Sequence, residues 1–295
     1  MRSLLAVQAQ DHPGALWAVG LRSGATAAEV EAAHSSGAIV RSWPMRGTLH
    51  LVAAEDLTWM LSLTSECTVR KAAGGHRQLG LDEASFATAA AVAHYLLGGG
   101  RRADRSELLA QFERAGLRTE GQRGVHLLGY LAYTGLTVLC TRTEYALLDE
   151  HVPATIRRTP LEAAAELALR YFTGHGPATV RDLAWWSGLP LTLMREVTER
   201  VHDRLERIEV DGIEYLMRPG LRPEADGVHL LPAYDEYLVG YEDRTAAIPP
   251  GGVGGVIGRD NPIFSPTIVT RGRVVGTWAR TPRSTASLRL RRARR

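Results

Sequence analysis

The sequence predicts an α+β fold in which three helix–helix–hairpin stretches are followed by a β-rich segment. Three observations carry this expectation. Apolar spacing changes from helical to strand-like three times along the chain. Each change ends at a tight-turn signal, of which Asp211-Gly212 is the clearest. A hydrophobic fraction of 45% with 23% charged residues over 295 positions is ordinary globular composition, enough for about two domains, or three small ones.

The first stretch runs from Asp11 through TAAEVEAAHSSG to IVRSWPMRGTLHLV, whose two β-rich runs meet near Met45 to Gly47. Two longer helices are expected over 55–73 and 82–97, the second ended by Gly98-Gly99-Gly100, with apolar spacing that serves packing. The second stretch opens on RADRSELLAQFERAG, where Asp104 or Ser106 can cap a helix and Gly116 can end it. TEGQRGVHLLGYLAYTG and the strand pair LTVLCTR and EYALL complete it. In the third, ATVRDLAWWSGLP reads as a helix capped by Thr179 and stopped at Gly188 and Pro190. LTLMREVTERVHDR follows as a second helix, and LERIEV-DG-IEYLM as a hairpin with a type I′ turn.

Helix, turn, helix and two-stranded wing is the winged-helix form of the helix-turn-helix. The predicted divisions are 1–54, first winged helix; 55–100, connecting helices; 101–158 and 159–222, second and third winged helices. From Gly227 the pattern changes to VHLLPAYDEYLVGYEDR, the Gly/Pro-rich loop IPPGGVGGVIGRDNP and a hairpin TIVTRGRVVGTW turning at Arg271-Gly272. This gives a small β-domain over 223–280. The segment 281–295, TPRSTASLRLRRARR, has no strand pattern and reads as a disordered, Arg-rich tail.

Charge and cysteine usage narrow the function classes. The chain carries 35 basic and 32 acidic residues, a net +3, yet nine arginines and no acid lie from Arg271 onward, so the preceding chain is −6. The basic balance therefore belongs to the tail. Cys67 and Cys140 stand far apart with no metal-ligand spacing nearby, so neither a disulfide framework nor a metal site is expected, and no cofactor. The longest nearly uncharged run, LLGYLAYTGLTVLC, is too short to cross a bilayer, and the N-terminus lacks a cleavage pattern. A cytoplasmic location without membrane contact is expected.

Four motifs in order, VQAQDHPGALWAVGLR, RSWPMRGTLHLVAAEDLTWM, LLPAYDEYLVGYEDR and GRVVGTW, resemble the winged-helix DNA glycosylases of the AlkZ/YcaQ type over most of the chain. The resemblance implies three tandem winged helices followed by a β-barrel domain, here partial because relatives continue past GRVVGTW with further strands. Relatives also carry a helix ahead of the Gln motif, so the chain reads as shortened at both ends. AlkZ-like members have a catalytic Gln-x-Gln, which falls on Gln8 and Gln10, whereas the YcaQ-like branch has Gln-x-Asp. The implied activity is removal of alkylated purines from double-stranded DNA, including unhooking of interstrand crosslinks, with no obligate protein partner.

The residue chemistry is compatible with that activity. An N7-alkylated purine is already cationic and leaves without a general acid, so two neutral amides suffice to hold a water and face a carbonyl dipole toward the sugar cation. Residues i and i+2 share a face only in extended chain, and Gln8 and Gln10 precede a helix start marked by Asp11 and Pro13. In MRGTLHL, Arg46, Thr48 and His50 alternate with leucines, which predicts a strand floor for the lesion cleft with the leucines toward the core. Asp235 and Glu236 are a carboxylate pair suited to a sugar cation or a water. A second reading has Asp235 capping, or pairing with Arg244, to join the third winged helix to the β-domain. The expected DNA-contacting set is thus Arg46, Thr48, His50, Asp235 and Arg244. Of Trp185 and Trp186, one is expected in the core, with base stacking as the alternative for the other. The competing function is a non-catalytic winged-helix regulator. Against it stands the absence of a basic recognition helix, since VHLLGYLAYTG is almost uncharged.

Overall fold

The computed structural model describes residues 1–152, 158–222, 226–248 and 265–279. Strand β1 (Ala6–Gln8) leads into helices α1 (His12–Ser23) and α2 (Ala27–Ser35) and the hairpin β2 (Ile39–Met45) and β3 (Thr48–Ala53). Helices α3 (Ala54–Gln78) and α4 (Glu83–Leu97) follow, then β4 (Ala103–Asp104), α5 (Arg105–Arg114), α6 (Arg123–Tyr133), β5 (Thr137–Leu139), β6 (Glu144–Leu147) and α7 (Leu148–His151). The third stretch holds α8 (Pro160–His175), α9 (Val180–Ser187), α10 (Leu191–Val201), β7 (Glu206–Val210) and β8 (Ile213–Met217). Last come β9 (Val228–Leu231), α11 (Glu236–Val239), β10 (Thr267–Thr270) and β11 (Arg273–Thr277). This is a mixed α+β architecture.

Local chemistry sets these boundaries. Capping boxes open α2 (Thr26 with Glu29), α5 (Asp104 with Glu107), α8 (Thr159 with Glu162) and α9 (Thr179 with Asp182), each satisfying two backbone donors that the helix leaves unpaired. The hairpins β2–β3, β7–β8 and β10–β11 turn at Arg46-Gly47, Asp211-Gly212 and Arg271-Gly272, all with positive φ, the geometry that matches strand twist. Pro13 sits in the first turn of α1, although Asp11, its N-cap, makes no side-chain cap bond.

The first two hairpins share one six-stranded sheet in the order β1-β3-β2-β5-β6-β4, joined where Arg41 of β2 faces Leu139 of β5. Its faces are both covered. Ala6, Val40 and Val52 pack with residues of α3, α8, α9 and α10, while Val7 and Leu51 pack with α1 and α2. Residues of α4, α5 and α6 close a further cluster over β5 and β6. Hairpin β7–β8 is a separate two-stranded sheet, bridged to the α8–α9 connection at Ala178 and Leu216. The C-terminal strands form a three-stranded sheet, β11-β10-β9, and no closed barrel exists among the described residues. Most of the Gly/Pro-rich loop and the Arg-rich segment 281–295 lie outside the described residues.

Double coverage overturns one expectation. Leu49 and Leu51 were to face the core and His50 a cleft, but His50 is 0% exposed. A strand with helices on both sides has no solvent face, so alternation there does not report exposure. Arg46 sits in the turn, with φ 55°, and not on the strand. No helix among the described residues is long and apolar enough to cross a membrane.

Candidate active site

Gln8 ends β1 directly opposite His50 of β3, which is opposite Ser42 of β2, so the three form a row across one sheet face. This is the face of Ala6, Val52 and Val40, which lie two residues away along the strands and pack on α3 and α8. Gln8 is 6% exposed whereas Gln10, beyond the strand end, is exposed. Their side chains meet. Gln8 Nε2 donates to Gln10 Oε1 at 2.5 Å, and Gln8 Oε1 accepts the Gln10 backbone N–H at 3.2 Å. The Gln10 amide nitrogen finds no protein acceptor among the described residues, which leaves it available to a water or a substrate oxygen.

Two charged side chains hold the backbone of this pair. The Arg41 guanidinium donates through Nε (3.0 Å) and Nη2 (2.7 Å) to the carbonyl of Ala9, the residue between the glutamines. From the opposite direction Glu236, at the start of α11, accepts the Gln8 backbone N–H on Oε1 at 2.9 Å. Its Oε2 accepts the indole N–H of Trp186 on α9 at 2.9 Å. His175 Nε2, at the end of α8, lies 3.5 Å from the same oxygen, longer than a good hydrogen bond and in ion-pair range. The His175 ring stacks on Tyr171 at 4.7 Å.

Burial favours the neutral acid of Glu236, but the neighbouring His175, with smaller contributions from the adjacent His50 and the Arg46 guanidinium, outweighs it and holds the carboxyl at about 2. Glu236 is therefore a buried carboxylate at neutral pH. His50 goes the other way: burial, then repulsion from Arg46, pulls its imidazole down to about 4. Its Nδ1 faces the Thr48 carbonyl at 2.8 Å, which can only accept, so the proton sits on Nδ1. That leaves Nε2 as the acceptor facing Arg46 Nη2 at 3.4 Å. Arg46 Nη1 also donates to the Val239 carbonyl at 3.3 Å, and burial lowers its affinity for its proton. Arg46 Nε and Thr48 Oγ1 are buried without a protein partner.

The expected DNA-contacting residues thus divide. Arg46, Thr48 and His50 cluster beside Gln8, but fully buried His50 cannot touch a base as placed. Asp235 caps α11 through the Tyr237 N–H at 2.9 Å, and its ion-pair partner is Arg22, at 2.9 and 2.6 Å, not Arg244. The bond runs to α1, so Asp235 ties the C-terminal segment to the first helix, a contact no local spacing reveals. Arg244 donates to the Leu238 carbonyl at 2.7 Å and lies 5.3 Å over the ring of half-exposed Trp185. Trp186 is the core tryptophan. Sequence reasoning missed Arg41 and His175 and did not place Glu236 beneath Gln8. Glu236 adjoins Asp235 in YDEYL, and a carboxylate pair flanked by aromatic residues was the available signal. No group of three or more His, Cys, Asp or Glu suited to a metal occurs among the described residues.

Comparison with known proteins bears on this arrangement. A family model described as DNA glycosylase AlkZ-like matches residues 1–295. An interstrand DNA cross-link repair glycosylase of Streptomyces sahachiroi is 25% identical over 264 residues, covering 81% of this chain and 70% of that protein. The solved structure of Streptomyces sahachiroi DNA glycosylase AlkZ superposes with a TM-score of 0.78 at 24% identity, over 95% of this chain and 81% of that one. The enzyme reading is thereby supported over the non-catalytic regulator. With its whole length accounted for by one family model and its fold shared with a solved relative, the chain belongs to the AlkZ-like DNA glycosylase family.

Proposed function

We propose that the protein hydrolyses the N-glycosidic bond of alkylated, cationic purines in double-stranded DNA, with Gln8 and Gln10 holding the attacking water. The observation that carries this reading is the amide-to-amide hydrogen bond of 2.5 Å between the two side chains, on a backbone gripped by Arg41 and Glu236. A fixed amide pair presents a carbonyl dipole to developing positive charge and spare N–H donors to solvent without reorganising during reaction. A cationic base needs no proton to depart. The Glu236 carboxylate beneath Gln8 adds negative potential on the side where the sugar cation forms.

In this reading the glycosylase is monofunctional. The single lysine, Lys71, donates to the Gly188 carbonyl at 2.9 Å, so water rather than an amine takes the anomeric carbon. Arg46 and Arg244 face DNA phosphates, while His50 and Asp235 act as buried supports and Thr48 fixes the His50 tautomer. The helix–helix–hairpin stretches within 1–54, 101–158 and 159–222 serve as winged helices around the duplex, with the sheet of 223–280 buttressing Gln8 through α11. Crosslinks in cytoplasmic DNA fit the same chemistry, because unhooking breaks the same bond. Base release from a duplex with one N7-methylguanine tests the proposal. Wild type releases the base, and Gln8→Ala and Gln10→Ala bind the duplex but do not. Wild-type protein that binds this duplex and never releases base at high enzyme concentration overturns it.

A further inference from the structure

We propose that a basic groove between β2 and α6 binds an undamaged flanking strand of the DNA, with one unstacked base lying on Trp43. For its class of ligand this rests on the glycosylase reading above. Two cavities, of about 310 and 260 Å³, share Trp43 and Val125 in their walls and so adjoin along one groove. Arg46 and Lys71 line the first, with His126 and Tyr133; Arg41, Arg105 and Arg142 line the second, with Tyr145. No aspartate or glutamate lines either cavity.

The five cations also have no carboxylate in direct contact among the described residues, Glu236 reaching Arg46 only through its field. None takes part in an ion pair among the described residues, whereas nine arginines elsewhere do. On a chain that is −6 before Arg271, this is a local concentration of positive charge with aromatic walls. Positive grooves interleaved with aromatic rings bind single strands, phosphates on the cations and bases on the rings. A bulge in β2 between Ser42 and Met45 interrupts the ladder at Trp43, and bulges re-aim side chains beside active sites.

The groove suits the strand and not the lesion. A cationic purine is repelled by five positive side chains and attracted by the glutamine carbonyls and Glu236, whereas backbone phosphate has the opposite preference. The two meet at Arg41, whose guanidinium lines the groove and also grips Ala9 between Gln8 and Gln10. A strand seated there leads its damaged neighbour to the amide pair.

Fluorescence titration of the full chain with an eight-residue oligothymidylate, which offers neither lesion nor duplex, tests this. The oligonucleotide should quench indole emission and bind with affinity that falls as salt rises, by about 0.7 in log–log slope per phosphate neutralised. Trp43→Leu should weaken binding about tenfold and remove much of the quench, while Trp43→Phe retains affinity. Lys71→Gln and Arg142→Gln, both at exposed positions, should each flatten the slope by about 0.7. The Arg-rich segment adds the same background to every variant, so the differences decide. Wild-type affinity and slope in the Trp43→Leu, Lys71→Gln and Arg142→Gln proteins, or no binding at low salt, overturn the proposal. Gln10→Ala should bind the oligonucleotide as wild type does; if it also still releases methylated base, the amide-pair chemistry fails and the groove stands.

Discussion

The backbone N–H of Gln8 donates to Glu236 at 2.9 Å across 228 positions of sequence. Through this bond a carboxylate on α11, itself held by Trp186 of α9, sets the height and tilt of the last residue of β1. The opposite side of the same segment is set by Arg41 on β2. The geometry of the amide pair is therefore a property of four elements that meet only in the folded chain.

Removing either amide separates chemistry from affinity. Gln8→Ala or Gln10→Ala should lower the single-turnover rate of base release by about 10²-fold or more, the usual scale for loss of one preorganised donor. Duplex affinity should stay within about twofold, measured by anisotropy. A parallel loss of both quantities signals misfolding instead.

Glu236→Ala leaves the Gln8 N–H, the Trp186 N–H and nearby positive groups without their buried partner. We expect a destabilisation of about 3–5 kcal/mol by urea denaturation. Glu236→Gln keeps an acceptor and loses the charge, so it should recover much of that stability while base release remains impaired. Full activity of Glu236→Gln would assign the residue a purely structural part.

Acid should weaken the fold in two windows. The folded-state values of His50 and His12 are both lowered to about 4, burial being the main cause. Below 6.5 the unfolded chain takes up protons that the folded one refuses, so stability falls from pH 6.5 toward 4, by at most about 1.4 kcal/mol per pH unit for each histidine. Glu236, lowered from 4.5 to about 2, extends the loss below pH 4.5 for the same reason. Melting temperature against pH should show both, and His50→Gln should flatten the upper one in part, with His12 supplying the remainder.

The pair Arg22 and Asp235 is testable by a double-mutant cycle. Asp235 is buried and accepts both guanidinium nitrogens, so the coupling energy between Arg22→Met and Asp235→Asn should be about 1–3 kcal/mol. The same cycle between Asp235→Asn and Arg244→Met should give a value near zero.

Much of the local architecture was legible in the chain. Thr179 and Asp104 cap their helices, Gly188 ends α9, and Asp211-Gly212 turns its hairpin as the residue types require. Each of these depends on neighbours within a few positions, where backbone sterics and short side-chain bonds decide. The strand face of Arg46, Thr48 and His50 was not legible, because the periodicity of β3 cannot say that helices cover both sides of the sheet.

By itself the sequence determined the α+β class, the caps and turns, the family motifs and the extended Gln-x-Gln, all consequences of short-range conformational preference and residue chemistry. Only the tertiary structure decided that Asp235 pairs with Arg22, that Arg41 grips Ala9, and that Glu236 remains ionised under Gln8. Those contacts join residues from 32 to 228 positions apart. Their strength comes from exclusion of water at the junction of helices and sheet, a condition that exists only once the core has closed.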